Sequence, residues 1–368
     1  MTETEACIAL NMVPGMGPVR LRTLLETFQT PQRILAAGAA ALRAAKGVGK
    51  ETADSIASWE SHVDLAAEMK RIADFGAKVI TLNSPEYPAA LRTIHNPPVV
   101  LYVWGDLLPA DAHAIGIVGS RNVTHYGTET AKKLSYQIAF AGYTIVSGLA
   151  RGIDTAAHQG ALAAKGRTIA VLGSGLAVLY PPENLGLAEK IAASGAVVSE
   201  YPMERPADRQ TFPYRNRIVA GWGRGILVVE AGLNSGALIT ANQAVEQGRT
   251  VFAIPGPIDR PTSAGTNRLI QQGARLVTSA DDILDELGTL IPRSSTASAA
   301  EKIAPATTAP ALSHDETLLV TALEVGELTH DELSAATRLP GPKVSSTLLI
   351  LEMKRLVRAL PGHRYVRL

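Results

Sequence analysis

Between residues 114 and 175 one pattern recurs three times: a short β-branched run breaks off into small residues and is followed by a helical pattern. The run 114–118 ends in Gly119-Ser120-Arg121. The run 143–146 ends in Ser147-Gly148-Leu149-Ala150-Arg151-Gly152-Ile153-Asp154, and the run 168–172 ends in Gly173-Ser174-Gly175. Strand, tight turn, helix is the repeat unit of a doubly wound, mostly parallel Rossmann-like α/β sheet, in which ligands gather beyond the carboxyl ends of the strands. Later runs at 196–199, 225–229, 250–253 and, more weakly, 275–278 continue it. Helical patterns at 127–141, 155–165, 183–193, 216–221 and 237–247 supply the right-handed crossovers. Upstream, 78–82 and 99–104 read as strands that extend the same sheet, with Pro85, Pro88, Pro97 and Pro98 breaking the chain between them.

The flanks differ. Residues 1–75 carry Ala, Leu and Met at helical spacing and no β-branched run. Two small-residue turns, Val13-Pro14-Gly15-Met16-Gly17 and Lys46-Gly47-Val48-Gly49-Lys50, punctuate them like a pair of helix-hairpin-helix motifs. Such turns either offer amides to a phosphate or serve only as scaffold, and both readings stay open. The expected boundaries are a helical domain at 1–75, an extended Rossmann-like domain at 76–288, a Pro/Ser/Thr/Ala-rich flexible linker at 289–312, and a winged helix at 313–368. In the last unit three helix patterns (315–325, 330–337, 342–356) precede a two-stranded wing turned at Pro361-Gly362. Seven basic residues there face seven acidic ones, a poor balance for a free-standing duplex reader.

Bulk composition bounds the chemistry. At 368 residues, with 46% hydrophobic and 19% charged, the chain is globular and too long for one ordinary core. Its net charge of +1 means that any polyanion site is local, and from 114 to 175 six basic residues stand against two acidic. A single cysteine, Cys7, excludes an internal disulfide and fits a cytoplasmic protein; residues 1–7, with two Glu and no basic residue, are not a secretory leader. No apolar run reaches the roughly 18 residues a membrane span needs. The dinucleotide fingerprint lacks its third glycine, no Walker A loop or Gly-x-Ser-x-Gly elbow occurs, and no His pair has zinc-helix spacing. The sequence therefore asks for no cofactor, no metal and no catalytic residue.

What remains is anion chemistry. Gly119, Ser120 and Arg121 combine exposed amides, a hydroxyl and a guanidinium fork. Gly148, Arg151 and Gly152 repeat the device on the next loop. Asp154 reads as a helix cap accepting from the Ala157 amide, with His158 one turn on; the two form either a cap and a polar helix residue or, less well, an acid–base pair. Gly173, Ser174 and Gly175 form a third loop. The segment 205–217 reads as a basic stretch in which Arg205, Arg209, Arg215 and Arg217 interleave with Phe212 and Tyr214, a pattern suited to an unpaired strand, with Asn216 between the last two arginines. Ser235 and Gly236 open a helix whose amides make another anion-ready terminus. Glu230, at a strand end, reads either as a base or metal ligand or, in the preferred reading, as the carboxylate that holds the arginines in place.

Taken in order, Gly119-Ser120-Arg121 with Tyr126-Gly127, Ser147-Gly148 through Ile153-Asp154 with Ala157-His158, and Gly173 through Tyr180-Pro181 with Asn184 resemble the DNA-processing protein A (DprA, also called Smf) family. So do Ser199-Glu200-Tyr201-Pro202, Arg215-Asn216-Arg217-Ile218, Glu230-Ala231, Ser235-Gly236-Ala237, Phe252 through Gly256 and Gly265-Thr266-Asn267. The resemblance implies a bacterial single-stranded DNA binder that protects incoming DNA and loads the recombinase RecA during natural transformation, acting as a homodimer built on the main domain and not as an enzyme. It maps the strand-binding loops onto Gly119, Ser120 and Arg121, then onto the Gly173 loop and Arg215–Arg217. Pro182 stands where some members carry a lysine. Two other readings compete: a nucleotide-processing enzyme of the lysine-decarboxylase-like Rossmann group, using Glu200 and Glu230 beside a phosphate site, and a winged-helix transcription regulator with a Rossmann sensor.

Overall fold

A computed structural model describes residues 1–289, 313–323, 328–337, 339–353, 356–360 and 364–367. The expected linker, 289–312, lies almost wholly outside the described residues, as does the Pro361-Gly362 turn. The chain divides into two compact units, Met1–Pro292 and Arg293–Leu368.

The first unit opens with six helices: α1 (Glu3–Met12), α2 (Pro18–Phe28), α3 (Pro31–Leu35), α4 (Ala39–Ala44), α5 (Lys50–Ala57) and α6 (Leu65–Phe75). Thr2 and Glu5 close α1 with a reciprocal capping box. Both expected hairpins form. Gly15 and Gly47 turn the chain at φ +75° and +79°, and Gly17 and Gly49 then sit at the N-caps of α2 and α5.

The chain then enters a nine-stranded sheet. Its elements are β1 (Lys78–Thr81), α7 (Ala89–Arg92), β2 (Val100–Gly105), β3 (Ala114–Val118), α8 (His125–Phe140), β4 (Thr144–Ser147), α9 (Ile153–Ala163), β5 (Thr168–Val171), α10 (Leu185–Ser194), β6 (Ala196–Ser199), α11 (Thr211–Trp222), β7 (Gly225–Val228), α12 (Gly236–Glu246), β8 (Thr250–Ala253), α13 (Ala264–Gln271), β9 (Arg275–Leu276) and α14 (Asp281–Thr289). The strand order is β1-β2-β6-β5-β4-β3-β7-β8-β9. From β6 to β9 every pairing is parallel; β1 and β2 add antiparallel at the β6 edge, extending the sheet as the sequence implied. Strands β3 to β7 are buried along their whole length, which is why they read as continuous apolar runs rather than as alternation.

Order reverses at β3, where one half runs outward through β4, β5 and β6 and the other through β7, β8 and β9. That reversal opens a crevice at the carboxyl ends of β3, β4 and β7. The helical region shares a core with the sheet: Leu10, Leu24 and Ile56 belong to one apolar cluster with Tyr102, Ala170 and Val197. The Glu68 carboxylate, itself buried, accepts from the Met203 amide at 2.8 Å and fixes the two together.

The second unit holds α15 (His314–Ala322), β10 (Leu328–Thr329), α16 (His330–Thr337), α17 (Gly341–Met353), β11 (Val357–Leu360) and β12 (Arg364–Arg367), around its own cluster of Leu319, Leu333, Val344, Leu348, Leu351 and Val357. It is a winged helix. Its sheet has three strands, β10-β12-β11, where the sequence suggested two. Two residues, Leu328 and Thr329, are too few to leave a period-2 signal.

Candidate nucleic-acid interface

The crevice holds a depression of about 710 Å³ lined by Gly119, Ser120, Arg121, Gly148, Arg215, Asn216, Ser235 and Gly236. Asn122, Asn234 and Thr240, which sequence reasoning did not single out, line it too. The available signal was an Asn within three residues of a glycine in each of two strand-end loops.

The loops that form the rim are bolted to one another through their backbones. The Ser120 amide donates to the Glu230 carbonyl at 2.7 Å and the Ile153 amide to the Ser120 carbonyl at 3.2 Å. Gly152 makes the second contact possible. It sits at φ +79°, and a Cβ there would lie 2.4 Å from the Ser120 carbonyl oxygen. Ser120 and Asn122 close a local turn, the Ser120 hydroxyl donating to the Asn122 carbonyl at 2.7 Å. On the far side, the Ser235 side chain caps α12, whose first residue, Gly236, is exposed at the rim.

Beneath the rim lie two buried charges. The Asp154 carboxylate accepts from the Gly148 and Ala150 amides at 3.1 and 3.3 Å, so it braces the β4–α9 loop from inside α9. The expected cap on Ala157 does not form; Gly152 is the N-cap. Burial raises the Asp154 pKa, opposed by Arg215 and the amides. Arg215 donates to the carbonyls of Gly148, at 2.6 Å, and of Val171. Its guanidinium fills the space beside Gly148, where a Cβ would meet it at 2.6 Å.

His158 is fully buried and shares a 2.7 Å hydrogen bond with Thr168. Burial, with Arg215 adding, holds its pKa down at about 3, so it is a neutral core histidine and not half of an acid–base pair.

Several sequence expectations need correction here. The segment 205–217 is not one open basic loop. Asp208 accepts from the Gln210 and Thr211 amides, and α11 begins at Thr211, with Pro213 in its first turn where a missing N–H costs nothing. Arg217 points away from the crevice. It forks onto Glu200 at 2.7 and 2.6 Å and donates to the Asn96 carbonyl at 2.9 Å, with 7% of its side chain exposed. A guanidinium so engaged is not available to a phosphate. Arg215 contributes to the floor rather than to the rim.

The Gly173-Ser174-Gly175 loop also turns inward. All three residues are buried, Phe212 sits against Gly173, the Gly175 amide donates to the Arg205 carbonyl, and the Ser174 carbonyl accepts from the Ser199 hydroxyl. Glu230 holds no arginine; it accepts from the Thr124 amide and hydroxyl at 3.0 and 2.5 Å, tying the start of α8 to β7.

Arg121 and Arg151 converge instead of diverging. Both are exposed, and both line a shallow cleft next to the main depression with Tyr180, Pro181 and Phe212. The Arg121 guanidinium lies 4.9 Å from the Phe212 ring centre, Phe212 lies 5.8 Å from Tyr180, and the Arg151 guanidinium lies 5.9 Å from Tyr180. The result is a ladder of cation, ring, ring and cation along the crevice edge. Residues 78–288, which carry every one of these side chains, match the model of DNA recombination-mediator protein A. The chain belongs to that family. The family's description names a DNA-handling role, that of a recombination mediator, rather than a catalytic one, and this chain is a DNA-processing protein.

Residues 303–363 match a DprA winged helix domain and 8–58 a SAM-like helix-hairpin-helix tandem. Protein Smf of Synechocystis is 35% identical over 397 aligned residues, covering 100% of this chain and 99% of the relative. The X-ray structure of DNA processing protein A from Streptococcus pneumoniae superposes with a TM-score of 0.69 at 35% identity, over 78% of this chain and 98% of that one. DNA processing protein A from Helicobacter pylori, solved for its single-stranded DNA binding mode, gives 0.53 at 28% identity, over 59% and 99%.

Proposed function

We propose that this protein binds single-stranded DNA along the carboxyl rim of its sheet and acts as a recombination mediator, protecting incoming strands and loading a RecA-class recombinase in natural transformation. The observation that carries the reading is the crevice edge itself. Exposed guanidinium groups of Arg121 and Arg151 flank two neighbouring aromatic rings, beside a depression lined by the glycine-containing loops and the start of α12. Guanidinium to phosphate and ring to base is how an unpaired strand is held without reading sequence. The proposed contact set is Gly119, Ser120, Arg121, Arg151, Asn216, Ser235 and Gly236, with Gly148, Gly152 and Arg215 shaping the loops from beneath. The described binding mode of the Helicobacter pylori relative supports the same ligand class. A homodimer built on the main domain and a cytoplasmic setting belong to this reading.

The competing enzyme reading needs Glu200 and Glu230 as working acids. Both are buried and spent, one on Arg217 and the other on Thr124. Among the described residues no helix is long and apolar enough to cross a membrane.

The test is fluorescence anisotropy of a labelled thymidine oligonucleotide with the full chain. Arg121→Glu is expected to weaken binding by at least about ten-fold, since it replaces a cation with an anion facing phosphate. Its melting temperature should be unchanged because Arg121 is exposed. The slope of log affinity against log salt should also fall, by roughly 0.7 for every phosphate the variant no longer neutralises. Binding equal to wild type overturns the site. The mediator half is tested separately, by the lag before a RecA-class recombinase nucleates on a strand coated with single-strand-binding protein; a lag unshortened by this protein overturns it.

A further inference from the structure

Arg151 already has an anion. Its Nε donates to the Glu183 carboxylate in an exposed ion pair, while its guanidinium rests over the Tyr180 ring. The pair is held in place. Glu183 lies in the single turn Pro182–Asn184, and the next residue, Asn184, is buried and donates to the Leu149 carbonyl at 2.8 Å and to Thr155 Oγ1 at 2.9 Å. Leu149 and Thr155 belong to the loop and helix that carry Arg151. The same clamp that positions the arginine therefore positions its carboxylate. Both partners titrate accordingly: the bond holds Glu183 below, and Arg151 above, its ordinary range. A carboxylate and a phosphate oxygen compete for one guanidinium face.

We infer that Glu183 is an affinity-setting residue for the strand site: it occupies the Arg151 guanidinium as an internal stand-in for a DNA phosphate, and a strand must displace it to use that arginine. The inference rests on the single-strand reading given above. Displacement requires no rearrangement of the rim. Arg151 keeps its seat on Tyr180, Tyr180 stays against Phe212, and only one carboxylate swings toward solvent. Such a device lowers by the same factor the affinity of every strand that uses Arg151. It suits a protein that must release its strand to a successor.

The experiment compares Glu183→Gln with Glu189→Gln, which removes the same charge from the exposed face of α10. Each is placed in the wild-type chain and in an Arg151→Gln chain, and thymidine oligonucleotide affinity is read by anisotropy at low and at physiological salt. Exposed pairs interact weakly, so Glu183→Gln should tighten binding by about two- to five-fold at low salt. The gain should shrink as salt screens it and vanish in the Arg151→Gln background, and Glu189→Gln should give less in the wild-type chain and be indifferent to the Arg151 background. A gain that persists without Arg151 makes Glu183 a general negative charge and overturns the inference. No gain in the wild-type chain overturns it as well. Arg121→Glu separates the two layers: if it binds like wild type, the strand site itself is elsewhere; if it loses binding while the cycle shows no coupling, only the role of Glu183 falls.

Discussion

Arginines at the sheet's carboxyl rim and in α11 have opposite roles, and burial separates them. Arg217 and Glu200 form a desolvated pair; Arg121 and Arg151 stand in water. Removing one partner of a buried pair strands a charge, so Arg217→Ala should cost about 3–5 kcal/mol in urea denaturation. Arg151→Gln should leave the denaturation midpoint where it was and change only DNA affinity. His158 gives a pH signature. Its folded pKa of about 3 lies below its ordinary value of 6.5, so between those values the unfolded chain binds the extra proton. Its contribution is complete above about pH 6.5 and is lost as pH falls, by about 1.4 kcal/mol per pH unit. Asp154, shifted upward, works in the opposite direction. The clean measurement is therefore a difference: His158→Gln should lose stability at pH 7 but show a flatter stability curve between pH 6.5 and 4 than wild type. Parallel curves would mean that His158 is not held neutral.

At the scale of elements, the rim works as one body because loops after β3, β4 and β7 hydrogen-bond through their backbones. Gly152 is the weakest point for a side chain, since its positive φ and the 2.4 Å approach to Ser120 leave no room. Gly152→Ala should destabilise the chain by about 1–3 kcal/mol and loosen the Ser120–Arg121 loop. Oligonucleotide affinity should then fall although no cation has been removed. Retained affinity with lowered stability would show that the loops bind independently. Strand identities were legible because buried parallel strands are runs of Val, Ile and Ala bounded by Gly and Ser, and the first and second strand ends, with Arg121 and Arg151, proved to face one cleft. The start of α11 was not legible. Nothing in a run of Arg, Phe and Tyr tells that Asp208 nucleates a helix there and that Arg215 and Arg217 enter the core from it.

For the whole molecule, the division at residue 292 is a division of cores. Leu319, Leu333 and Val344 cluster only with residues of the second unit, while helices α1 to α6 share theirs with the sheet. A chain ending at Pro292 should therefore unfold cooperatively and keep its oligonucleotide affinity within about two-fold. Removing 1–75 instead should expose the face holding Tyr102 and Val197 and yield aggregated protein. Light scattering with calorimetry checks both, and a non-cooperative transition in the first truncation would show that the winged helix completes the larger core.

What the sequence determined by itself was the alternation: buried β-branched runs, glycine turns and amphipathic helices permit one sheet class, and the succession of motifs along it marks one family. Those are local properties, written within a dozen residues at a time. Tertiary structure decided which charges face solvent. Desolvation is a property of everything that surrounds a side chain, so only the folded chain could separate Arg217, sealed against Glu200, from Arg121, left open over Phe212.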